Sequence, residues 1–236
     1  MKFYDLHIHS AFSGGKSSLE EIARMAKNLG YEGFCFIVYY ESDERLEELR
    51  KEIEKIEEKF KIQIFLGVEG RSIRELKFLL KKRNEIDLLL ARGGRIEINR
   101  FACSHPGIDL LTHPSYERRD CGLNHVISKL AVKNKVAIEI NFREILISSK
   151  KTRAQVMKNF REIIKLHKKY EFYLVANSGA ISHWEICDPL VLSSFLNLLG
   201  LELKNAKMAV SKVPEEIIKR ALEKKGSLRP GIRVIK

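Results

Sequence analysis

Short apolar runs alternate with longer amphipathic segments along most of this chain. A short apolar run bounded by polar residues predicts a buried strand, whereas apolar residues at every third or fourth position predict a helix. Runs of the first kind predict seven strands, at 3–9, 33–39, 63–69, 87–91, 109–113, 136–142 and 172–177.

A helical candidate follows each predicted strand. The first begins with Ser18 and Glu21 in the spacing of a capping box and ends near Gly30. Helices are also predicted at 43–60 and 152–169, where apolar residues recur on one face, and after the last strand at 189–200 and 214–225.

The seven strand–helix units form one series, without a Pro-, Gly- or Ser-rich linker between them. Such a series is typical of an α/β fold: a closed or nearly closed barrel of about seven parallel strands inside an outer ring of helices. A doubly wound open sheet is the alternative. We predict one barrel domain over residues 1–236, with a basic carboxyl-terminal tail at 225–236.

The positive charge of the chain is unevenly distributed. The net charge is +12, but residues 1–60 hold 9 Lys and Arg against 13 Asp and Glu, so these residues carry −4 and the rest carry +16. Such asymmetry indicates a polyanionic partner, with nucleic acid ahead of a membrane because no amphipathic anchor accompanies it. Solubility is the alternative explanation of the charge.

Other features of the sequence favour an intracellular protein. The apolar runs are far shorter than the roughly 20 residues that a bilayer span needs, and no signal peptide precedes the first strand. The four cysteines are scattered and form no Cys-x-x-Cys pair, which argues against a disulfide framework or a zinc ribbon. We therefore expect a soluble, cytoplasmic protein with reduced thiols and no membrane partner.

Polar residues occupy the carboxyl ends of several predicted strands, where barrel enzymes place their working residues. In the first strand Asp5, His7 and His9 alternate with apolar residues and share one face. Later strands end on or carry further ligand-type residues: Glu69, His113, Glu139, Asn141 and Asn177. Imidazole and carboxylate groups meeting at one barrel mouth are what a divalent metal ion needs. A buried, hydrogen-bonded polar cluster is the alternative.

The opening FYDLHIHS resembles that of the polymerase and histidinol phosphatase (PHP) family of metal-dependent phosphoesterases. That resemblance implies a distorted, seven-stranded TIM-type barrel, with His7, His9, Glu69 and His113 at metal-ligand positions. Two other parts of the motif differ. Tyr39-Tyr40 replaces an acidic residue followed by His, and Ser178-Gly179-Ala180 replaces an Asp-x-His pair, with His183 displaced.

A second resemblance covers nearly the whole chain. The blocks YDLHIHS, GVEGRSIRELKFLLKKRNEIDLLLARGG, GIDLLTHP, VAIEINFREIL and NSGA are similar, in order and spacing, to those of the barrel-shaped protein subunits of ribonuclease P. This family has the PHP-like fold with a degraded metal site. Trp184 to Pro189 replaces an arginine-bearing segment of the family, so an RNA contact there is not expected.

If the second resemblance holds, the positive charges contact RNA and the four metal-type residues are vestigial. Basic residues on loops that follow strands are then the candidate phosphate contacts. They are Arg92 and Arg95 around two glycines, Arg118 and Arg119, Arg143, and the helix-start residues Lys150, Lys151 and Arg153. The basic tail is a less specific candidate.

The ribonuclease P resemblance implies a protein component of the ribonucleoprotein that removes the 5′ leader of precursor tRNA. In that complex the chain would bind and stabilise the catalytic RNA, contact precursor tRNA only indirectly, and pair with other protein subunits, especially a small ferredoxin-like one. No catalytic residue, cofactor or independent activity is expected, apart from a residual divalent ion, and the catalytic Mg²⁺ would belong to the RNA. A metal-dependent PHP-type phosphoesterase and a general RNA-binding barrel are the alternatives.

Overall fold

The computed structural model describes residues 1–225, 227–229 and 232–233. Seven parallel strands form one sheet in which each strand pairs with the next along the chain. They are β1 (Phe3–Ile8), β2 (Tyr31–Val38), β3 (Gln63–Gly70), β4 (Leu88–Arg92), β5 (Leu110–Thr112), β6 (Ala137–Asn141) and β7 (Leu174–Asn177). All seven predicted strands are therefore confirmed.

Helices surround this sheet and cover its outer face. They are α1 (Leu19–Asn28), α2 (Asp43–Phe60), α3 (Ile73–Lys81), α4 (Ile96–Ser104), α5 (His125–Asn134), α6 (Arg143–Ile147), α7 (Lys150–Tyr170), α8 (Pro189–Leu198), α9 (Leu203–Met208) and α10 (Lys212–Lys225). The predicted capping box at α1 is present, because Ser18 Oγ accepts from Glu21 N and the Glu21 carboxylate accepts from Ser18 N. No helix in the described part of the chain is long and apolar enough to span a bilayer.

The seam between β1 and β7 is closed without a strand ladder. The amide of Leu6 in β1 donates to Asn177 Oδ1 of β7 at 2.9 Å, and the amide of Ser178 donates to Asp5 Oδ2 at 3.0 Å. Below these bonds, Tyr4 N donates to Val210 O and Ala176 N donates to Ala209 O, at 3.1 and 3.3 Å. Two side chains and a two-residue segment between α9 and α10 thus complete a nearly closed barrel. The alternative of an open doubly wound sheet is wrong.

Helix α10 packs against residues inside the barrel at the amino ends of the strands. Its Ile217, Ile218 and Ala221 join Leu6, Ile37, Leu90, Leu110 and Val175 in one buried cluster. A second, larger apolar cluster lies between the sheet and the outer helices. Because α10 covers one end of the barrel, the opposite end, at the carboxyl ends of the strands, is the open mouth.

Ion pairs from Lys224 and Lys225 attach α10 to this closed end, around a buried pair between Arg83 and Asp109. Asp109 accepts from Arg83 Nη2 and from Lys224 Nζ, both at 2.7 Å, and Asp87 accepts from Lys225 Nζ at 2.6 Å. Arg83 and Asp109 are almost fully buried. Their mutual attraction and the hydrogen bonds from Arg83 to backbone carbonyl groups compensate the loss of water around both charges.

The basic tail differs from the sequence prediction, which had no strand there. Ser227–Arg229 (β8) pairs antiparallel with Ile232–Arg233 (β9). The rest of the tail beyond Lys225, namely 226, 230–231 and 234–236, lies outside the described residues. The prediction of one domain over the full 1–236 stays a prediction.

Candidate functional site

Three histidines meet at the barrel mouth. His7 lies in β1, His9 follows β1 directly, and His113 follows β5. The ring centroids of His9 and His113 lie 5.2 and 5.1 Å from that of His7. The strand alternation that gives Asp5, His7 and His9 one face therefore places the two imidazoles over the centre of the barrel, as the sequence predicts.

Oxygen atoms hold the Nδ1 atom of each of these rings. His7 Nδ1 lies 2.8 Å from Glu139 Oε1, and His113 Nδ1 lies 2.8 Å from Glu144 Oε1. His9 Nδ1 lies 3.2 Å from Ser13 Oγ. The Nε2 atoms of His7 and His9 face each other at 3.2 Å. Histidines that bind metal ions are oriented in this way, with one ring nitrogen held by an oxygen and the other facing the ion.

Glu69, at the end of β3, supplies a carboxylate to the same site. Its Oε1 accepts from Thr112 Oγ1 at 2.6 Å. Its Oε2 is buried and has no hydrogen-bond partner among the described residues, and Arg92 Nη1 lies 3.7 Å away. An unpartnered buried carboxylate oxygen is costly unless a cation approaches it. Arg92 supplies that positive charge from the rim of the mouth.

Burial and the neighbouring charges shift the pKa values of His7 and His9 in opposite directions. Burial by itself lowers the pKa of His7, but the Glu139 carboxylate outweighs this effect and raises the pKa to about 9. Burial and the neighbouring imidazoles of His7 and His113 lower the pKa of His9 to about 3. Burial also opposes ionisation of Glu139, yet the contact with His7 lowers the pKa of that carboxyl to about 2. At neutral pH the cluster therefore contains an imidazolium–carboxylate pair beside a neutral imidazole.

The donor set fits one divalent ion. Ligand atoms of His7, His9 and Glu69 lie within 4.8 Å of one another, and two imidazoles with a carboxylate suit Zn²⁺ or Mn²⁺. A second group, His7 with His113 and Glu139, meets the same distance limit. It shares His7, and the Glu139 oxygens already accept from Asn177 Nδ2 and from His113 N. The two groups therefore do not provide independent sites for a pair of ions.

The residues that replace the phosphoesterase motif do not restore a ligand set. The Tyr39 ring lies 5.9 Å from the His9 ring, and Tyr40 donates to Asp43 away from the mouth. Gly179 lies against the Asn141 amide, so no carboxylate stands there. His183 Nδ1 lies 2.7 Å from Ser17 Oγ, and the loop bearing His183 contacts α1.

The sequence analysis identified Glu139 and Asn177 only as residues at the ends of strands and assigned no role to Glu144. A sequence shows which residues could bind a metal ion, but it does not show which other residues will form hydrogen bonds to them.

A cavity of about 290 Å³ opens at the mouth above these residues. Its walls include His9, His113, Tyr39, Tyr116, Arg92 and Arg143. Two of the predicted RNA contacts, Arg92 and Arg143, therefore border the cavity. Three of the four residues predicted to be vestigial metal ligands, His7, His9 and His113, border it too. The combination of cationic and aromatic side chains around a concave opening suits a phosphate-bearing ligand.

Intramolecular bonds engage four of the eight predicted RNA contacts. Arg118 binds Asp120 through two bonds of 2.6 and 2.9 Å and donates to Gly94 O, and Arg143 Nε donates to Glu185 at 2.9 Å. Arg153 donates to the carbonyl oxygen of Ser148, and Arg92 is the neighbour of Glu69 already described.

The other four contacts, Arg95, Arg119, Lys150 and Lys151, are exposed. The nearest carboxylate oxygen to Arg95 is at 3.7 Å in Glu97, on a side chain that is itself exposed. Lys150 and Lys151 begin α7, as predicted. These four cations are thus available to a polyanion without first breaking a buried contact.

Comparison with known proteins assigns the family. The family model for "RNase P subunit p30" matches residues 2–226. The chain belongs to the RNase P subunit p30 family. It is 32% identical to the ribonuclease P protein component 3 of Methanosarcina barkeri over 99% of this chain and 96% of that one. The protein of the same name from Methanothermobacter thermautotrophicus is also 32% identical, over 100% and 96% of the two chains.

Solved structures agree with this p30 assignment. A chain of the cryo-EM structure of archaeal ribonuclease P with mature tRNA superposes with a TM-score of 0.79 at 30% identity, covering 98% of both chains. A Xaa-Pro dipeptidase matches with a TM-score of 0.59 at 8% identity, over 92% of this chain and 75% of that one. The match to the dipeptidase shows only that this barrel has the same fold architecture as other α/β barrels.

Proposed function

We propose that this chain, a protein subunit of ribonuclease P, binds the RNA of that enzyme through the cations around its barrel mouth and stabilises the folded RNA. Removal of the 5′ leader of precursor tRNA is then performed by the RNA and its Mg²⁺ ions. The observation that carries the proposal is the likeness to a chain of archaeal ribonuclease P along 98% of both chains. The +16 charge after residue 60 supports it.

The chain itself contributes no catalytic group in this proposal. Phosphoesterases with clustered dications need several carboxylates to neutralise the ions, and only Glu69 offers an unoccupied buried oxygen among the described residues of the mouth. One residual Zn²⁺ or Mn²⁺ held by His7, His9 and Glu69 is compatible with the donor set. Such an ion would fix the three side chains and would supply a Lewis acid when bound.

Partners follow from the same assignment. Ribonuclease P RNA and other protein subunits of the holoenzyme are the partners of this chain, and we propose the small ferredoxin-like subunit as its direct neighbour. Trp184 is 79% exposed, and on α8 Leu190 and Val191 are about half exposed, so this side offers apolar area to a protein. Precursor tRNA would be contacted only through the complex. The cytoplasm is the proposed location, which fits four free cysteines.

Reconstitution tests the proposal. Ribonuclease P RNA and the other protein subunits are combined with and without this chain, and cleavage of precursor tRNA is measured while Mg²⁺ is lowered. We expect the chain to raise the cleavage rate at low Mg²⁺ and to shift the Mg²⁺ requirement downward. Unchanged cleavage at every Mg²⁺ concentration, with RNA binding retained, would instead favour the general RNA-binding barrel.

A matched pair of variants locates the RNA contact. The test variant is Arg119→Gln/Lys150→Gln/Lys151→Gln, which removes three exposed charges at the mouth. The scattered-charge control is Lys51→Gln/Lys204→Gln/Lys219→Gln, which removes three exposed charges from α2, α9 and α10. We expect only the test variant to need more Mg²⁺. An equal shift in both variants would mean that total charge, not the mouth, matters.

The phosphoesterase alternative has its own test. The chain is purified alone, its metal content is measured, and turnover of a simple phosphate monoester is assayed with added Zn²⁺ or Mn²⁺. We expect at most one bound ion per chain and no turnover. Two or more tightly held ions together with turnover would overturn the assignment of catalysis to the RNA.

A further inference from the structure

Helix α3 presents one exposed face on which basic and aromatic side chains stand together. Arg74, Lys77, Phe78 and Lys81 are all exposed, whereas Leu76 and Leu79 on the other side are buried in the core. At 100° per residue the four exposed side chains lie within an arc of about 100°, and at 1.5 Å per residue they span about 10 Å along the helix. We call these four residues the α3 face.

The cations of the α3 face are not neutralised by neighbouring carboxylates. Among the described residues, no Asp or Glu oxygen lies within 4.0 Å of Arg74, Lys77 or Lys81. The acidic residue of α3 itself, Glu75, accepts from Arg71 N at 2.7 Å and lies 3.8 Å from the Arg71 guanidinium. The charge of the α3 face is therefore available to an external anion.

Neighbouring helix α2 is organised differently. Its basic side chains Arg45, Lys55 and Lys59 each lie within 4.0 Å of a glutamate, on α2 or on α1. Its exposed surface is therefore a network of mixed charges, in which attraction for a polyanion largely cancels. The unpaired cations of α3 thus contrast with the paired charges of the neighbouring helix α2.

The exposed aromatic ring of Phe78 distinguishes the α3 face from an ordinary basic surface that only contacts water. Phe78 is 43% exposed, and one neighbour, Tyr40, meets its ring edge to face with centroids 5.1 Å apart. The ammonium group of Lys82 lies 5.8 Å from the ring centroid. Phe78 also borders a cleft of about 130 Å³ whose walls include Tyr39 and Arg71. An aromatic ring beside a row of cations is what a strand with unpaired bases requires.

We propose that the α3 face binds an unpaired segment of RNA, with Arg74, Lys77 and Lys81 against its phosphates and the Phe78 ring against a base. A paired segment would use the cations but leave the ring without a partner, because bases in an A-form duplex are stacked on one another. The RNA is that of ribonuclease P, so this inference rests on the proposed function and adds a second contact, on the outer side of α3, to the cations at the mouth.

Binding of a labelled single-stranded RNA oligonucleotide tests the three charges. The full chain, the variant Arg74→Gln/Lys77→Gln/Lys81→Gln and the scattered-charge control are titrated between 50 and 300 mM KCl. Three lost phosphate contacts lower the slope of log Kd against log[KCl] by about 2, at about 0.7 for each contact with a single strand. The control is expected to keep the slope of the wild type. Equal slopes in both variants would overturn the proposal.

Substitutions at Phe78 test the aromatic contact. Phe78→Leu keeps an apolar side chain without a ring, and Phe78→Trp keeps a ring. Loss of one stacked base weakens binding at least about fivefold, so Phe78→Leu should show this loss while Phe78→Trp stays close to the wild type. The same loss should be absent for a fully paired RNA of the same length. Equal affinities of the two variants for the single strand would overturn the stacking contact.

Two further results separate the possible failures. In the reconstituted holoenzyme, chemical probing of the RNA should reveal an unpaired segment that the wild-type chain protects and the triple α3 variant does not. If the triple variant loses binding to another protein subunit instead, the α3 face is a protein interface and the proposal is wrong. If the wild-type chain itself leaves precursor tRNA cleavage unchanged, the proposed function fails, whatever α3 does.

Discussion

Replacing Asn177 by alanine removes two of the bonds that hold the barrel seam and the histidine cluster together. Asn177 Oδ1 accepts from the Leu6 amide at 2.9 Å, and its Nδ2 donates to Glu139 Oε1 at 2.8 Å. Alanine leaves the Leu6 N–H buried beside β7 with no acceptor there. It also removes one of the donors that stabilise the buried Glu139 carboxylate.

The expected loss of stability follows from these two bonds. A buried backbone N–H without a partner costs about 1–3 kcal/mol, and a hydrogen bond to a charged group contributes about 1.5–3 kcal/mol. We therefore expect Asn177→Ala to lower the free energy of unfolding by about 3–5 kcal/mol. For a chain of this length, the low end of that range lowers Tm by about 6–12 °C.

Asn141 provides a matched control. It pairs in register with Asn177 in the sheet and is equally buried. Its Oδ1 accepts from Arg143 N at 3.1 Å, but that N–H also donates to Ser178 O at 2.9 Å, and its Nδ2 has no partner among the described residues. Asn141→Ala therefore removes only a shared bond, which contributes about 0.5–1.5 kcal/mol.

Thermal unfolding followed by circular dichroism measures the difference, and amide hydrogen exchange locates it. We expect Asn177→Ala to unfold at the lower temperature and to exchange the Leu6 amide faster, while Asn141→Ala leaves that amide protected. If the two variants lose the same stability, the side chain of Asn177 does not close the seam, and the bond from Ser178 to Asp5 and the segment around Val210 hold β1 against β7 without it.

Three further changes give expected outcomes. Arg92→Ala with Arg95→Ala should weaken RNA binding and lower its salt slope by about 1–2 without unfolding the barrel, and an unaltered slope in filter binding would remove this loop from the interface. Asp109→Asn leaves a buried guanidinium without its counter-ion, so chemical denaturation should show a loss of about 3 kcal/mol, and a loss below 1 kcal/mol would contradict the buried pair. Gly179→Ala places a Cβ within 2.6 Å of the Asn141 amide at a positive φ, and Tm should fall by several degrees; an unchanged Tm would contradict this crowding.

The sequence predicted the strands and the ligand-type residues well, because both depend on local pattern. The alternation in β1 alone places His7 beside His9, and the predicted bounds of α2 agree with the observed ones. What it could not predict depends on contacts between distant segments. The bond between His7 and Glu139 joins β1 to β6, and the engagement of Arg143 depends on Glu185, on a loop 42 residues later.

The α3 face was missed for a different reason. Sequence analysis looked for cations on loops at strand ends, and the basic residues of α3 stand in the middle of an amphipathic helix, where a charged outer face is the ordinary solvated surface. Only the structure distinguishes Lys82, which binds Asp43, from Lys77 and Lys81, which have no acidic neighbour among the described residues. Phe78 then becomes notable because it is exposed beside them.

The manner in which the seam closes has a consequence for biosynthesis. Tyr4 leaves the ribosome more than 200 residues before Val210, whose carbonyl group its amide binds. Until that segment emerges, the nascent chain holds a rolled sheet with two uncovered edges, and uncovered edges are where chains aggregate. Protection of the first strand during translation therefore depends on the last quarter of the chain or on a chaperone that covers the edge in the meantime.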